Sequence, residues 1–143
     1  MLLSEASHAT IHSMSKRRIL IVDDEPDFTR PIKEYLERAG EYEVKEEQKD
    51  AKAFYTAQAF KPHLILLDVM MLDMDGSEVA DQLRGDEEMA KIPVVFMTGV
   101  ITKDEAQERG GRIGGHPFIA KPVSLREVLE TVERYLGPPG SSA

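Results

Sequence analysis

The sequence contains no cysteine. This absence excludes disulfide bonds, thiolate catalysis and zinc sites built on cysteine. Long apolar runs are absent as well, since none approaches the roughly 20 residues that a helix needs to cross a bilayer. The first residues, MLLSEASHATIHSMSKRR, carry Ser, Glu and His where a signal peptide needs a continuous apolar segment. We therefore expect a cytoplasmic protein that does not engage a membrane.

The sequence has no excess of positive charge, since 26 Asp and Glu residues outnumber 18 Lys and Arg residues. The formal net charge is -8, and the Lys and Arg residues are scattered, with residues 15–18 (SKRR) as their one cluster. A nucleic-acid-binding face would concentrate Lys and Arg on one surface. We therefore expect no nucleic-acid partner.

The length and composition predict one compact domain. Hydrophobic residues make up 41% of the 143 residues and charged residues 31%, as in ordinary globular proteins. Residues 1–15 and 138–143 lack apolar periodicity and predict flexible tails, and residues 16–137 are the predicted domain. Because few residues follow the last predicted helix, we expect a stand-alone domain without an output domain.

Short apolar runs alternate with helical patterns along the predicted domain. Four of them have apolar residues in continuous rather than alternating runs, which is typical of parallel strands covered on both faces; they are residues 18–22, 64–69, 94–98 and 118–120. A fifth segment, YEVKEE at residues 42–47, is more polar and predicts an edge strand. Since each strand is followed by a helix, the pattern predicts an α/β fold, a doubly wound five-stranded parallel sheet with five helices.

Local signals mark several helix ends. Gly40 follows the first apolar helical stripe and predicts its end, and a capping box at residues 124–127 opens the last helix. A similar box at residues 102–105 predicts the start of the fourth helix. The four glycines within residues 108–117 should fray the end of that helix.

Acidic and phosphate-binding groups collect at the carboxyl ends of the predicted strands. Asp23 and Asp24, with Glu25 beside them, follow the first strand, and Asp68 ends the third. In a doubly wound sheet these ends meet at one edge, where ligands bind. Like charges so close together repel, and hard oxygen ligands in this arrangement suit Mg²⁺. The sequence therefore predicts a magnesium site.

The same edge has the groups needed to hold a phosphoryl group. A carboxylate can accept a phosphoryl group as an aspartyl phosphate, and Asp68 is the natural nucleophile because it is the lone acid at its strand end. Thr98 ends the fourth strand and Lys121 the fifth, so a hydroxyl and an ammonium group can each bind a phosphoryl oxygen.

The motifs ILIVDDEP, LILLDVMMLDMDG, VVFMTG and FIAKP resemble those of the response-regulator receiver domain of two-component signalling, which has a flavodoxin-like fold. The resemblance covers about residues 17–136. It implies that Asp68 is the phosphoacceptor and that Mg²⁺ is bound by Asp24 directly and by Asp23 through water. Asp68 itself and the backbone carbonyl of Met70 complete the ligands that it implies.

The resemblance also implies the parts of a switch. Thr98 matches the family's phosphate-sensing hydroxyl, Lys121 its lysine, and Phe118 its aromatic switch residue. Lys121-Pro122 matches a peptide bond that is cis in the family. Two features depart from the usual pattern. Leu72 stands where the family usually has proline. Phe118 has no hydroxyl, so switching would act by packing alone.

Three functions compete for this sequence. We favour a phosphoacceptor receiver that is not a classical enzyme. A sensor histidine kinase or a phosphotransfer protein would phosphorylate it, and it would act on a downstream protein as a monomer or a phosphorylation-dependent dimer. A Mg²⁺-dependent phosphohydrolase of the haloacid-dehalogenase type, with Asp68 as nucleophile, needs a second acid two residues further on as general acid and base, and this chain has Met70 there. The same apolar side chain predicts slow self-hydrolysis. A pseudo-receiver that is never phosphorylated would lack part of the acid pocket or Lys121, and both are present.

Overall fold

The computed structural model describes residues 16–69, 76–99, 112–113, 116–120 and 124–137. The strands in these ranges are β1 (Arg17–Val22), β2 (Tyr42–Glu47), β3 (Leu64–Asp68), β4 (Val94–Thr98), β5 (Arg112–Ile113) and β6 (His116–Ala120). The helices are α1 (Pro26–Ala39), α2 (Asp50–Phe60), α3 (Gly76–Arg84) and α4 (Leu125–Leu136), with a short 3₁₀ helix at Met89–Lys91.

The strands form one sheet in the order β2-β1-β3-β4-β6-β5. Five of them, β1 to β4 and β6, are parallel, so the predicted five-stranded parallel sheet is confirmed. The polar segment at residues 42–47 lies at one edge, as predicted. The order of the strands reverses between β1 and β3, which is where a doubly wound sheet binds its ligands.

The segment between β4 and β6 differs from the prediction. Arg112–Ile113 form a short strand antiparallel to β6, in which Arg112 pairs with Pro117 and Ile113 with His116. The pairing extends β6 back to His116, because backbone groups along that strand gain partners there. The structure describes four α-helices where five were predicted. The predicted helix that starts near residue 102 lies outside the described residues, as do both predicted tails.

The core consists of two apolar clusters, one on each face of the sheet. On one face, Leu20 and Val22 of β1 pack with residues of α2 and α3. On the other face, Ile19 and Ile21 pack with residues of α1 and α4. The alternation of side chains along β1 therefore fills both layers, and the continuous apolar pattern is explained by burial on both faces.

The open edge of β2 is covered by side chains of α1. The carbonyls of Glu41 and Glu47 accept hydrogen bonds from the amides of Arg17 and Asp23, so Val44 presents its backbone groups to the outside. Lys33 Nζ donates to the Val44 carbonyl (2.8 Å), and the Val44 amide donates to Glu37 Oε2 (3.1 Å). This pairing occupies an edge that would otherwise be open to another strand.

Two of the predicted helix signals are confirmed. The Glu127 amide donates to Ser124 Oγ (3.1 Å), which is the expected N-cap of α4. Helix α1 ends at Ala39, immediately before Gly40. Across the described ranges, no helix has both the length and the apolar character required to pass through a bilayer.

A histidine at the amino-terminal edge of the sheet should make stability depend on pH. His63 Nδ1 accepts a hydrogen bond from the Arg18 amide (2.9 Å), which requires the unprotonated nitrogen. Partial burial, and then the charges of Arg18 and Arg17, lower the pKa of His63 below its usual value of 6.5. Because the pKa of His63 is lower in the folded than in the unfolded chain, its contribution to stability is fully present above the unfolded pKa. This contribution is lost as the pH falls toward the lower, folded pKa.

We therefore expect the free energy of unfolding to decrease between about pH 7 and pH 5, and to decrease less in His63→Asn, whose amide oxygen accepts the same hydrogen bond without titrating. Urea unfolding of both proteins across this range measures the difference. The other histidines are present in both proteins, so their contributions cancel in the difference between the two pH profiles. Identical pH profiles would contradict the assignment to His63.

Candidate functional site

Three carboxylates follow β1 in a short turn, which we name the acidic loop (Asp23, Asp24 and Glu25). Asp23 is fully buried, Asp24 is half-buried and Glu25 is exposed. Each offers a carboxylate oxygen, and these oxygens lie within 4.8 Å of one another. The Glu25 amide donates to Asp23 Oδ1 (3.0 Å), which folds the loop back on itself. The loop thus gathers three oxygen donors at the end of β1.

A fourth carboxylate, Asp68, ends the neighbouring strand. Val22 of β1 pairs with Leu67 of β3, so Asp23 and Asp68 are the next residues on strands whose backbones run about 4.8 Å apart. Asp23 is 0% exposed and Asp68 only 4%. Two buried carboxylates so close together require compensating positive charge or hydrogen-bond donors. This edge of the sheet is therefore suited to a cation.

Beyond Asp68 the sheet brings a buried hydroxyl to the same edge. Asp68 pairs with Met97 of β4, and Thr98, which is 1% exposed, follows as the last residue of that strand. The Val69 amide donates to the Met97 carbonyl (2.9 Å), so the pairing of the two strands continues just past Asp68.

Phe118 lies on β6 opposite Phe96 of β4. Its side chain is buried in the apolar cluster on the α2 and α3 face. A ring in this position contributes to the core, and its predicted role as a switch residue stays a prediction. Met70 and Lys121 lie outside the described residues, as do Leu72 and Pro122, so their predicted roles also stay predictions.

Several polar residues near the acidic loop were not singled out from the sequence. Thr29 Oγ1 donates to Glu46 Oε1 (2.6 Å), and Thr56 Oγ1 donates to Glu47 Oε1 (2.5 Å). Asp50 is a buried carboxylate in the first turn of α2, and its Oδ1 accepts from the Ala51 amide (2.8 Å). The partners of Glu46 and Glu47 are 17 and 9 residues away in the chain, so no local sequence motif reveals them.

Comparison with known proteins agrees with this architecture. Residues 19–133 match the family model described as the response regulator receiver domain. This chain belongs to that family.

Among curated relatives of this receiver domain, the polar-differentiation response regulator DivK of Brucella ovis is 33% identical over 122 residues, which cover 85% of this chain and 97% of DivK. Among solved structures, the chemotaxis protein CheY4 of Vibrio cholerae matches with a TM-score of 0.72 and 26% identity, covering 85% of this chain and 99% of CheY4. The resemblance deduced from the four motifs is confirmed, and the chain is a receiver domain of two-component signalling.

A second solved structure shares the fold. The receiver domain of the sensor histidine kinase PA1611 of Pseudomonas aeruginosa, described with a magnesium ion coordinated in its active-site cleft, matches with a TM-score of 0.71, covering 85% of this chain and 98% of that domain. Its identity to this chain is 22%, so the match shows a shared fold.

Proposed function

We propose that this receiver domain accepts a phosphoryl group on Asp68 in a Mg²⁺-dependent reaction. The observation that carries the proposal is the pair of buried carboxylates, Asp23 and Asp68, at adjacent strand ends beside the acidic loop. A nucleophilic carboxylate and a metal-binding carboxylate need this proximity.

The donor set fits magnesium. Mg²⁺ prefers hard oxygen ligands and is usually bound by one or two carboxylates together with water and phosphoryl oxygens, and the acidic loop offers oxygens within 4.8 Å of one another. Asp24 would bind the ion directly, Asp23 through water, and Asp68 and the Met70 carbonyl would complete the protein ligands. When bound, the ion neutralises charge on the phosphoryl oxygens.

Asp68, Lys121 and Thr98 would have different roles in the phosphoryl transfer. A carboxylate oxygen of Asp68 bonds to phosphorus as the bond from phosphorus to the donor's imidazole nitrogen breaks, and the imidazole leaves with the bonding electron pair. Lys121 and the Thr98 hydroxyl would bind phosphoryl oxygens, because phosphoryl transfer depends mostly on positioning and electrostatic stabilisation. Burial of Asp68 limits the access of water to the acyl phosphate.

The new charge on Asp68 would then act as a signal. Thr98 would move toward the phosphoryl group, and Phe118 would repack, which alters a protein-interaction surface. We infer that a sensor histidine kinase or a phosphotransfer protein in the cytoplasm is the donor, and that the chain passes the signal to a downstream protein as a monomer or a phosphorylation-dependent dimer. The alternative is a constitutive pseudo-receiver that binds its partner without modification.

The test is phosphoryl incorporation into the purified chain. Acetyl phosphate with Mg²⁺ should add one phosphoryl group by intact mass, and a chelator in excess over Mg²⁺ should abolish the gain. No gain at saturating acetyl phosphate and Mg²⁺ would contradict the proposal and favour the pseudo-receiver.

The lifetime of the phosphoryl group should be long. Met70 has an apolar side chain, which cannot orient or deprotonate an attacking water, so self-hydrolysis should be slow. After removal of acetyl phosphate, the phosphorylated mass should decay over minutes or longer. Met70→Asp should shorten the lifetime, and decay of the wild type within seconds would contradict this prediction.

A further inference from the structure

The acidic loop is held at both ends by backbone hydrogen bonds. At its start, the Asp23 amide donates to the Glu47 carbonyl (3.0 Å), and at its end the Thr29 amide donates to the Glu25 carbonyl (3.1 Å). The position of the acidic loop therefore depends on where Glu47 and Thr29 lie.

Carboxylates of β2 fix the positions of both Thr29 and Glu47. The Glu46 side chain binds Thr29, and the Glu47 side chain binds Thr56 of α2. The Thr29 hydroxyl donates to Glu46 Oε1 at 2.6 Å, and the Thr56 hydroxyl donates to Glu47 Oε1 at 2.5 Å. Hydroxyl to carboxylate bonds of this length are charge-assisted and roughly twice as strong as neutral ones. Because Glu46 and Glu47 are adjacent on a strand, their side chains point to opposite faces of the sheet. One therefore holds α1 and the other holds α2.

The second oxygen of each glutamate also has a donor. Arg30 Nε lies 3.2 Å from Glu46 Oε2, and the Lys49 amide donates to Glu47 Oε2 (3.0 Å). Thr29 is fully buried and the Glu46 side chain is 11% exposed, so water does not readily replace the hydroxyl. Exposed ion pairs contribute little, whereas a buried carboxylate that loses its donor is costly.

We propose that Glu46 and Glu47 are positioning residues that keep the acidic loop in its metal-binding arrangement. Through Thr29 and the backbone of Glu47, they hold the two ends of the loop, and thereby its three carboxylate oxygens, in place. The inference rests on the proposed function, since the quantity it governs is the affinity for Mg²⁺. Loss of the Thr29 hydroxyl removes the bond to Glu46 that fixes Thr29, whose amide holds the Glu25 carbonyl. The cost therefore falls on metal binding beyond any cost to folding.

The experiment compares variants of the full, unphosphorylated chain. Thr29→Val removes the hydroxyl while keeping the shape of the side chain, Thr29→Ser restores the hydroxyl, and Thr56→Val removes the equivalent group on the other face. Thr131→Val is the matched control, because Thr131 is also buried and its hydroxyl donates to the Glu127 carbonyl (2.9 Å) within α4. Mg²⁺ is titrated while the amide resonances of Asp24 and Glu25 are followed, and urea unfolding without Mg²⁺ measures stability.

We expect Thr29→Val to raise the dissociation constant for Mg²⁺ roughly tenfold, the lower end of the range for residues that support metal ligands. Thr29→Ser should recover most of the affinity, and Thr131→Val should bind Mg²⁺ like the wild type even where its stability falls. Thr56→Val should weaken binding in the same direction, and it carries the test if Thr29→Val does not fold.

Two results would overturn the inference. One is a folded Thr29→Val or Thr56→Val with the affinity of the wild type. The other is a Thr29→Ser that binds as weakly as Thr29→Val. A wild-type chain that shows no Mg²⁺-dependent shift at all would instead overturn the proposed function, and the two failures are thereby distinguished.

Discussion

Asp68→Asn should abolish phosphoryl incorporation from acetyl phosphate. This is the largest effect that we expect of any single substitution. The amide of asparagine has the shape of the carboxylate but lacks the anionic oxygen that bonds to phosphorus. Asp68 is almost completely buried at the end of β3, so a side chain of the same size preserves the packing. Intact mass after incubation with Mg²⁺ measures the loss.

The matched control for this variant is Asp81→Asn. Asp81 is an exposed acid on α3, with 72% of its side chain accessible, and its substitution should leave phosphoryl incorporation unchanged. Incorporation into Asp68→Asn at the level of the wild type would show that another residue accepts the phosphoryl group. Equal loss in Asp81→Asn would show that the effect is not specific to Asp68.

Leu66→Ala should cause the largest loss of stability. Leu66 lies in β3, in the interior of the sheet between β1 and β4, and is 0% exposed within the cluster that α1 and α4 cover. Truncating a buried leucine removes apolar contacts and leaves a cavity, at a cost of about 2 to 5 kcal/mol. Because small domains are stable by only about 5 to 15 kcal/mol, much of the total is lost.

Urea unfolding with a fitted slope measures this loss. Tyr55→Ala is the control, since Tyr55 is 69% exposed on α2 and its truncation should change the free energy of unfolding by less than about 0.5 kcal/mol. A Leu66→Ala variant as stable as the wild type would contradict the assignment of β3 to the core.

The strands were predictable because a strand that is buried on both faces has a continuous run of apolar residues. Continuous apolar runs gave β3 and β4 almost their observed bounds, and the polarity of residues 42–47 correctly indicated an edge strand. The hairpin of β5 with β6 was not predicted, because backbone pairing rather than apolar periodicity forms it.

The candidate site was predictable to the extent that it follows from topology. Once the strands are parallel, Asp23, Asp68 and Thr98 must approach one another at the carboxyl edge. The bonds from Thr29 to Glu46 and from Thr56 to Glu47 could not be predicted, because they depend on how each helix sits against β2. Threonine and glutamate are common on solvated surfaces, so their types carry no signal.

Phosphorylation of Asp68 is tested most directly by locating the phosphoryl group in the chain. The chain is phosphorylated with acetyl phosphate and Mg²⁺ and then treated with borohydride, which reduces an aspartyl phosphate to homoserine, and the product is identified by peptide mass mapping. We expect homoserine at position 68 and at no other aspartate, with none formed when Mg²⁺ is chelated. Modification at Asp23, Asp24 or another acid, or an unmodified Asp68 in a protein that binds Mg²⁺, would contradict this expectation.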